Sequence, residues 1–253
     1  MIRVAGKTLQ AEDASAYASG ALEKAMFHTL LNSRTQYQYD SPERLKFELR
    51  LRREIINAAR EQYRSGLNFA VFRKSKCNPA YWERTREGGF RMKPGVKASD
   101  AIRDIFENGS QYATECATAL LILYYKALLN MMPEDAFNKT FPSIYLMNWH
   151  RIDRILQEVG NINRASDYLP GDRRYFMNPD VDPLTPEWQG ENVIDLGDGT
   201  YYGHGIGIGS ADNIIKVLNQ NRMERADDSA YLMDSAGRPD FDKLYNIYRR
   251  SAA

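Results

Sequence analysis

Residues 113–125, ATECATALLILYY, place a carboxylate and a thiol, Glu115 and Cys116, at the head of an apolar run. Beyond Cys116 the run is apolar almost all round, the pattern of a helix buried on every side. A central helix over about 110–130 is therefore expected. A thiol in the first turn of such a helix faces free backbone N–H groups and the positive end of the helix dipole, which favour a thiolate. That position suits a rigidly held nucleophile; it also suits a small inert hydrophobe, as buried free cysteines often are. An ionised Glu115 would oppose thiolate formation, although consecutive helical residues point in different directions.

Working outward, the surrounding elements must cover this helix. SPERLKFELRLRREIINAAREQYRSG (41–66) reads as a long helix capped by Ser41, with Pro42 in its first turn and Gly66 as its stop. Phe47, Leu51 and Ile55 share one face, and its arginines are expected on the solvated one. NFAVFRK (68–74) and PAYWERTREGGFRMK (79–93) read as short strands, the second turning at Gly-Gly. SDAIRDIFENG (99–109) reads as a short helix capped by Ser99 and stopped at Gly109. SIYLMNWH (143–150) reads as a strand ending in Trp149 and His150, and LPGDRRYFMNPDVDP (169–183) as turns around another. Two helices, at 210–222 and 238–250, close the chain. Helices flanking a small antiparallel sheet indicate an α+β fold, expected as one domain over 1–253.

Composition narrows the function. Hydrophobic residues make up 43% and charged residues 26% of 253, enough for an ordinary core. A formal net charge of +1 argues against nucleic-acid and membrane partners. The apolar run is too short to span a bilayer and carries Lys126. Two cysteines, Cys77 in a polar stretch and Cys116 in an apolar one, read as free thiols of a reducing compartment. The opening MIRVAGKTLQAED lacks a leader pattern, so synthesis in the cytosol is expected. A monomer is expected.

A nucleophilic thiol needs a proton acceptor. The histidines are His28, His150 and His204. His28 lies in the amphipathic AMFHTLL and reads as structural, whereas His204 is flanked by glycines that permit close approach. EWQGENVIDLGDGTYYGHGIGIG (187–209) reads as a hairpin turning at Asp198-Gly199, which pairs Glu191 with Ile206 and Val193 with His204. Glu191 and His204 would then be same-face diagonal neighbours, roughly 7–8 Å apart or less; a one-residue slip would put them on opposite faces. The glycines of GHGIGIGS do not fit a dinucleotide fingerprint, since Ser210 stands where the third glycine is needed. The Cys and His spacing supports no zinc site. Neither metal nor cofactor is expected.

Several blocks carry a resemblance. AIRDIFENGSQYATECATALLILYYKALL (101–129), YLMNWH (145–150), GDRRYFMNPD (171–180) and WQGENVIDLGDGTYYGHGIGI (188–208), with IRVAGKTL (2–9) and FELRLRREIINAAREQYRSG (47–66), closely resemble the spore-coat transglutaminases of Bacillus and related spore formers. These are protein-glutamine gamma-glutamyltransferases. The resemblance implies a papain-like core of the NlpC/P60 kind, with extra N-terminal helices. It implies Cys116 as nucleophile, Glu191 as catalytic acid and base, Glu115 as supporting acid, and His204 as a hairpin histidine of open role. It implies independence from calcium. An aromatic access channel is expected from Phe69, Trp149, Trp188 and Tyr175, with Asn192 also placed at the substrate.

The implied chemistry suits these residues. Cys116 attacks the carboxamide of a protein glutamine, ammonia leaves, and the thioester is taken by a lysine amine to give an isopeptide bond. A carboxyl of raised pKa at Glu191 would move the protons, and aromatic walls would keep water from the thioester. The partners are then glutamine-donor and lysine-acceptor proteins of a spore coat, reached after synthesis in the mother cell. The rivals are a cysteine peptidase or amidase on the same core and a non-catalytic coat scaffold.

Overall fold

The computed structural model describes residues 1–149 and 151–251; the strand end expected at His150 lies outside them. The chain opens with β1 (Ile2–Val4), β2 (Lys7–Thr8), α1 (Ala14–Tyr17), α2 (Ala21–Asn32) and β3 (Tyr37–Tyr39). β1 pairs with β2 antiparallel and with β3 parallel. His28 sits on the exposed side of α2, its ring edge against Phe27.

Next comes α3 (Pro42–Ser65), whose boundaries follow its end residues. The Ser41 hydroxyl accepts from Arg44 N–H at 3.4 Å, and Gly66 ends the helix in the left-handed conformation. The expectation that its arginines line the solvated face does not hold for Arg52, which is fully buried. It donates to Glu48 (2.9 Å) and to Asp172 (2.7 Å), and Asp172 also accepts twice from Arg238. Burial is tolerated because the charge is met by two acids within hydrogen-bond reach.

The chain continues through β4 (Asn68–Phe69), β5 (Trp82–Arg84), β6 (Phe90–Met92), α4 (Ala98–Glu107) and β7 (Ala113–Thr114). β4 is only two residues of the expected strand, and Phe72–Lys74 form a 3-10 turn instead. β5 and β6 form the Gly-Gly hairpin. Ser99 is not the cap of α4: the helix starts one residue earlier, and the Ser99 N–H is taken by the Asn138 side chain at 2.9 Å. β4 and β7 pair in parallel.

Then follow α5 (Cys116–Met131), α6 (Glu134–Thr140), β8 (Tyr145–Leu146), β9 (Arg173–Met177), β10 (Gly190–Asp195), β11 (Thr200–Gly203), β12 (Gly207–Ser210), α7 (Ala211–Asn219), β13 (Tyr231–Leu232) and α8 (Phe241–Ser251). α5 is the expected central helix, but it starts at Cys116 and not near residue 110, because residues 113–114 are held as a strand against β4. From Ala117 to Leu129 it is buried except at Lys126. Each fully buried Leu or Ile contributes roughly 1.5–3 kcal/mol. Its main partner is α3, and its first turns also meet β10.

The principal sheet runs β12-β11-β10-β9-β13, antiparallel throughout. Alternation along β10 divides the core. Ile194 joins the main cluster with α3 and α5, while Val193 joins Phe176, Ile214 and Leu218 beneath α7. The result is one compact domain of mixed helix and sheet.

The hairpin register differs from expectation by one residue. Val193 faces Gly203 and Ile194 faces Tyr202. The Leu196 N–H bonds to Thr200, so the loop is Gly197-Asp198-Gly199, with left-handed φ at both glycines. A three-residue loop needs those conformations and shifts every downstream partner. Glu191 therefore has the parity of Val193, and His204 that of Tyr202.

Candidate active site

Cys116 is the first residue of α5, and Glu115 is its cap. The Glu115 carboxylate accepts from the N–H groups of Ala117 and Thr118, both at 2.7 Å. It thus occupies amides that were expected to face the sulfur. Burial raises the Glu115 pKa, and these amide bonds pull against it. The loop before residue 150 is fastened to the same turn, because Asn148 N–H donates to the Thr118 hydroxyl at 2.8 Å.

The surroundings of the thiol disfavour its charged form. Burial pushes its pKa well above the ordinary range, with the nearby charges of Glu191 and then Glu115 adding to the rise. The opposing influence is Asn192, whose Nδ2 lies 3.7 Å from Sγ and whose backbone amide also favours the thiolate. The expectation of a dipole-stabilised thiolate gives way to burial and the two nearby acids, since Glu115 already satisfies much of the helix end.

Glu191, on β10, is buried, and burial lifts its carboxyl from 4.5 to about 8, the charge of Glu115 adding to the rise. The side chain lies over Gly203, where a Cβ would stand 2.8 Å from Oε1, and Gly205 N–H donates to that oxygen at 3.3 Å. Any larger residue at 203 would displace the acid. Burial therefore favours the uncharged form of both the acid and the thiol.

His204 leaves the ribbon from the opposite face. Its Nε2 meets the carbonyls of Asn68 (3.1 Å) and Thr114 (3.2 Å), which can only accept, so Nε2 carries the proton. Its Nδ1 faces the Tyr202 hydroxyl at 3.4 Å, and that hydroxyl also reaches Gln62 Oε1 at 3.1 Å. Burial pushes the ring down to about 4, leaving it neutral. Gln62 in turn donates to Ala119 of α5 at 3.0 Å. Through these bonds β4, β7, α3, α5 and the ribbon are tied together.

The expected aromatic positions fall into two groups. Phe69 is exposed, stacks on Trp188 at 6.5 Å between centroids, and packs against His204 at 6.1 Å. Trp149 carries the guanidinium of Arg173 on its face at 4.5 Å. Tyr175 pairs with Asn192 across β9 and β10, with its hydroxyl packed over Gly190. Its pKa rises to about 12, through burial first and then the charges of Cys116 and Glu191. Arg173, Tyr202 and Gln62 were not anticipated. An arginine with an aromatic neighbour two residues on in a strand gives only a parity signal, and arginines are usually exposed.

Among the described residues no group of three or more His, Cys, Asp or Glu is placed to hold a metal, and no helix is long and apolar enough to cross a membrane.

A thiol with acids for neighbours, on a mixed helix and sheet domain, suits an enzyme that works through a covalent thioester. The family model described as protein-glutamine gamma-glutamyltransferase matches residues 1–248. A protein-glutamine gamma-glutamyltransferase of Bacillus mycoides (strain KBAB4) is 44% identical over 225 residues, 88% of this chain and 80% of the relative. One from Bacillus cereus (strain B4264) is 41% identical over 237 residues, 93% and 84% respectively. The solved transglutaminase from Geobacillus stearothermophilus, without its C-terminal extension, superposes with a TM-score of 0.78 at 45% identity, covering 83% of this chain and 99% of that one. The chain belongs to the protein-glutamine gamma-glutamyltransferase family, and its activity is that of a transglutaminase acting on protein substrates.

Proposed function

We propose that the transfer runs through a thioester on Cys116, with Glu191 as the proton carrier. The observation that supports this is the buried Glu191 carboxyl, held near pKa 8, whose charge acts directly on the thiol. When Glu191 is ionised it takes the Cys116 proton as sulfur attacks the glutamine carboxamide. The protonated acid then gives that proton to the departing ammonia. In the second half the same carboxylate takes a proton from the lysine ε-amine as nitrogen attacks the thioester carbonyl. The C–S bond then breaks, the isopeptide is released, and Glu191 returns that proton to the departing sulfur, which restores the thiol.

Glu115 is then the helix cap that fixes the first turn, and Cys116 N–H, not bonded to Glu115, is a donor for the tetrahedral oxyanion. His204 is a structural partner, not a base, since both ring nitrogens face protein groups. The stacked pair Phe69 and Trp188, with Trp149 and Tyr175, would guide the substrate side chains toward the sulfur, which Asn192 already meets. We further propose that the chain works as a monomeric single domain over 1–253 with a papain-like core. Its substrates are spore-coat proteins, reached after synthesis in the mother cell without metal or cofactor.

The test is incubation with a glutamine-donor protein and a fluorescent amine. The mechanism predicts covalent amine incorporation that Cys116→Ala abolishes and Glu191→Gln slows severely. Cleavage of the donor without incorporation would favour a peptidase, and unaffected incorporation in Cys116→Ala would remove the thiol from the reaction.

A further inference from the structure

We infer that Arg173 is a positioning residue for the nucleophile, acting through the amide of Asn192; this rests on Cys116 being the nucleophile. Arg173 is 2% exposed, yet among the described residues no acid forms an ion pair with it. Its Nη1 donates to Asn192 Oδ1 at 2.6 Å, its Nη2 to Gly160 O at 3.3 Å, and its plane lies on Trp149. Its Nε is buried with no partner. An unpaired buried guanidinium costs stability, and packing alone would be met at lower cost by an apolar side chain.

The arrangement makes sense once the sulfur is charged. A side-chain amide has an accepting end and a donating end, and a guanidinium has only donors. Arg173 therefore compels Oδ1 to face it, which leaves Nδ2–H for Cys116 Sγ, 3.7 Å away. A flipped amide would turn its oxygen on the sulfur and repel a thiolate. The cation behind the carbonyl also polarises the amide and strengthens its N–H as a donor. When the thiol loses its proton to Glu191, the row becomes cation, dipole, anion, and the buried charge of Arg173 is met for the first time.

The experiment follows the rate of iodoacetamide alkylation of Cys116 at pH 8 in a Cys77→Ser background, beside steady-state amine transfer. In Arg173→Met the alkylation rate falls by about tenfold, and kcat for transfer falls by roughly 10- to 100-fold with little change in KM for the glutamine donor. Arg173→Lys, which keeps a donor and a charge, recovers part of both. Joining Arg173→Met to Asn192→Ala does no more harm than Asn192→Ala alone. An alkylation rate equal to the parent's, or losses that multiply in the double variant, would overturn the proposal. If Arg173→Met does not fold, Arg173→Gln, which loses the cation, is read on the same rate: a fall supports the relay and an unmoved rate refutes it. A Cys116→Ala protein that still transfers would instead sink the reading beneath it.

Discussion

Two buried arginines, Arg52 and Arg173, show how one side chain serves two ends. Arg52 meets Glu48 and Asp172, both within hydrogen-bond distance, and Asp172 is bound again by Arg238. That cluster ties α3 to the loop before β9 and to the chain before α8. Arg173, the next residue after Asp172, has an amide, a carbonyl and an indole face for partners, and its chain of contacts ends at a sulfur. A buried cation closed by acids is scaffold; a buried cation left open toward a nucleophile is poised for a charge that appears during reaction.

The largest effect that could break this division is at the sulfur. Cys116→Ala should abolish amine incorporation while its thermal unfolding stays cooperative; measurable turnover would place the chemistry elsewhere. Next is Glu191→Gln, expected to lower kcat/KM by ~10²–10⁴-fold, the range for a lost general acid–base. The same variant sharpens the contrast through stability. Glu191 ionises at about 8 in the fold and near 4.5 when unfolded. The contribution of its uncharged form is therefore present below pH 4.5 and lost as pH rises through about 8. Glu191→Gln should be more stable than the parent above pH 8, with the gap closing toward pH 4.5 in melting scans.

Arg52→Met should do the reverse. Removing one partner of a buried ionic cluster costs ~3–5 kcal/mol, read as a lower urea midpoint, with turnover per folded molecule preserved. If Arg52→Met spared stability and damaged rate, the two arginines would not differ as described. A smaller effect concerns pH: kcat/KM should rise with pH through about 8 as Glu191 becomes a base, and that limb should vanish in Glu191→Gln. The smallest is Cys77→Ser. Burial raises that thiol's pKa to about 11 and its sulfur faces the Trp82 carbonyl, so transfer rates should stay within about twofold of the parent.

Much of the frame was legible in residues 41–66 and 116–131. Apolar periodicity, a Ser-Pro cap and a glycine stop are local signals, and they set α3. The start of α5 was displaced because β7 forms by pairing with β4, a contact between segments 45 residues apart that no local pattern announces. The ribbon was read with a two-residue loop because Asp-Gly is a strong turn signal. The additional left-handed glycine at 197 lengthened the loop and moved His204 to the other face. The charge of Glu191 still acts on the thiol despite that slip, and its carboxyl is set by the space over Gly203 and the amide of Gly205, not by a facing partner. The solvated reading of Arg52 failed, and Arg173 was unseen, for one reason: an arginine's burial depends on partners distant in sequence.

The most direct measurement is intact-protein and peptide mass spectrometry after mixing with a glutamine-donor peptide and no amine. The mechanism predicts an adduct of the peptide's mass less ammonia on Cys116, discharged when an amine is added and formed far more slowly in Glu191→Gln. No adduct, an adduct on Cys77, or an unchanged rate of formation in Glu191→Gln would contradict it.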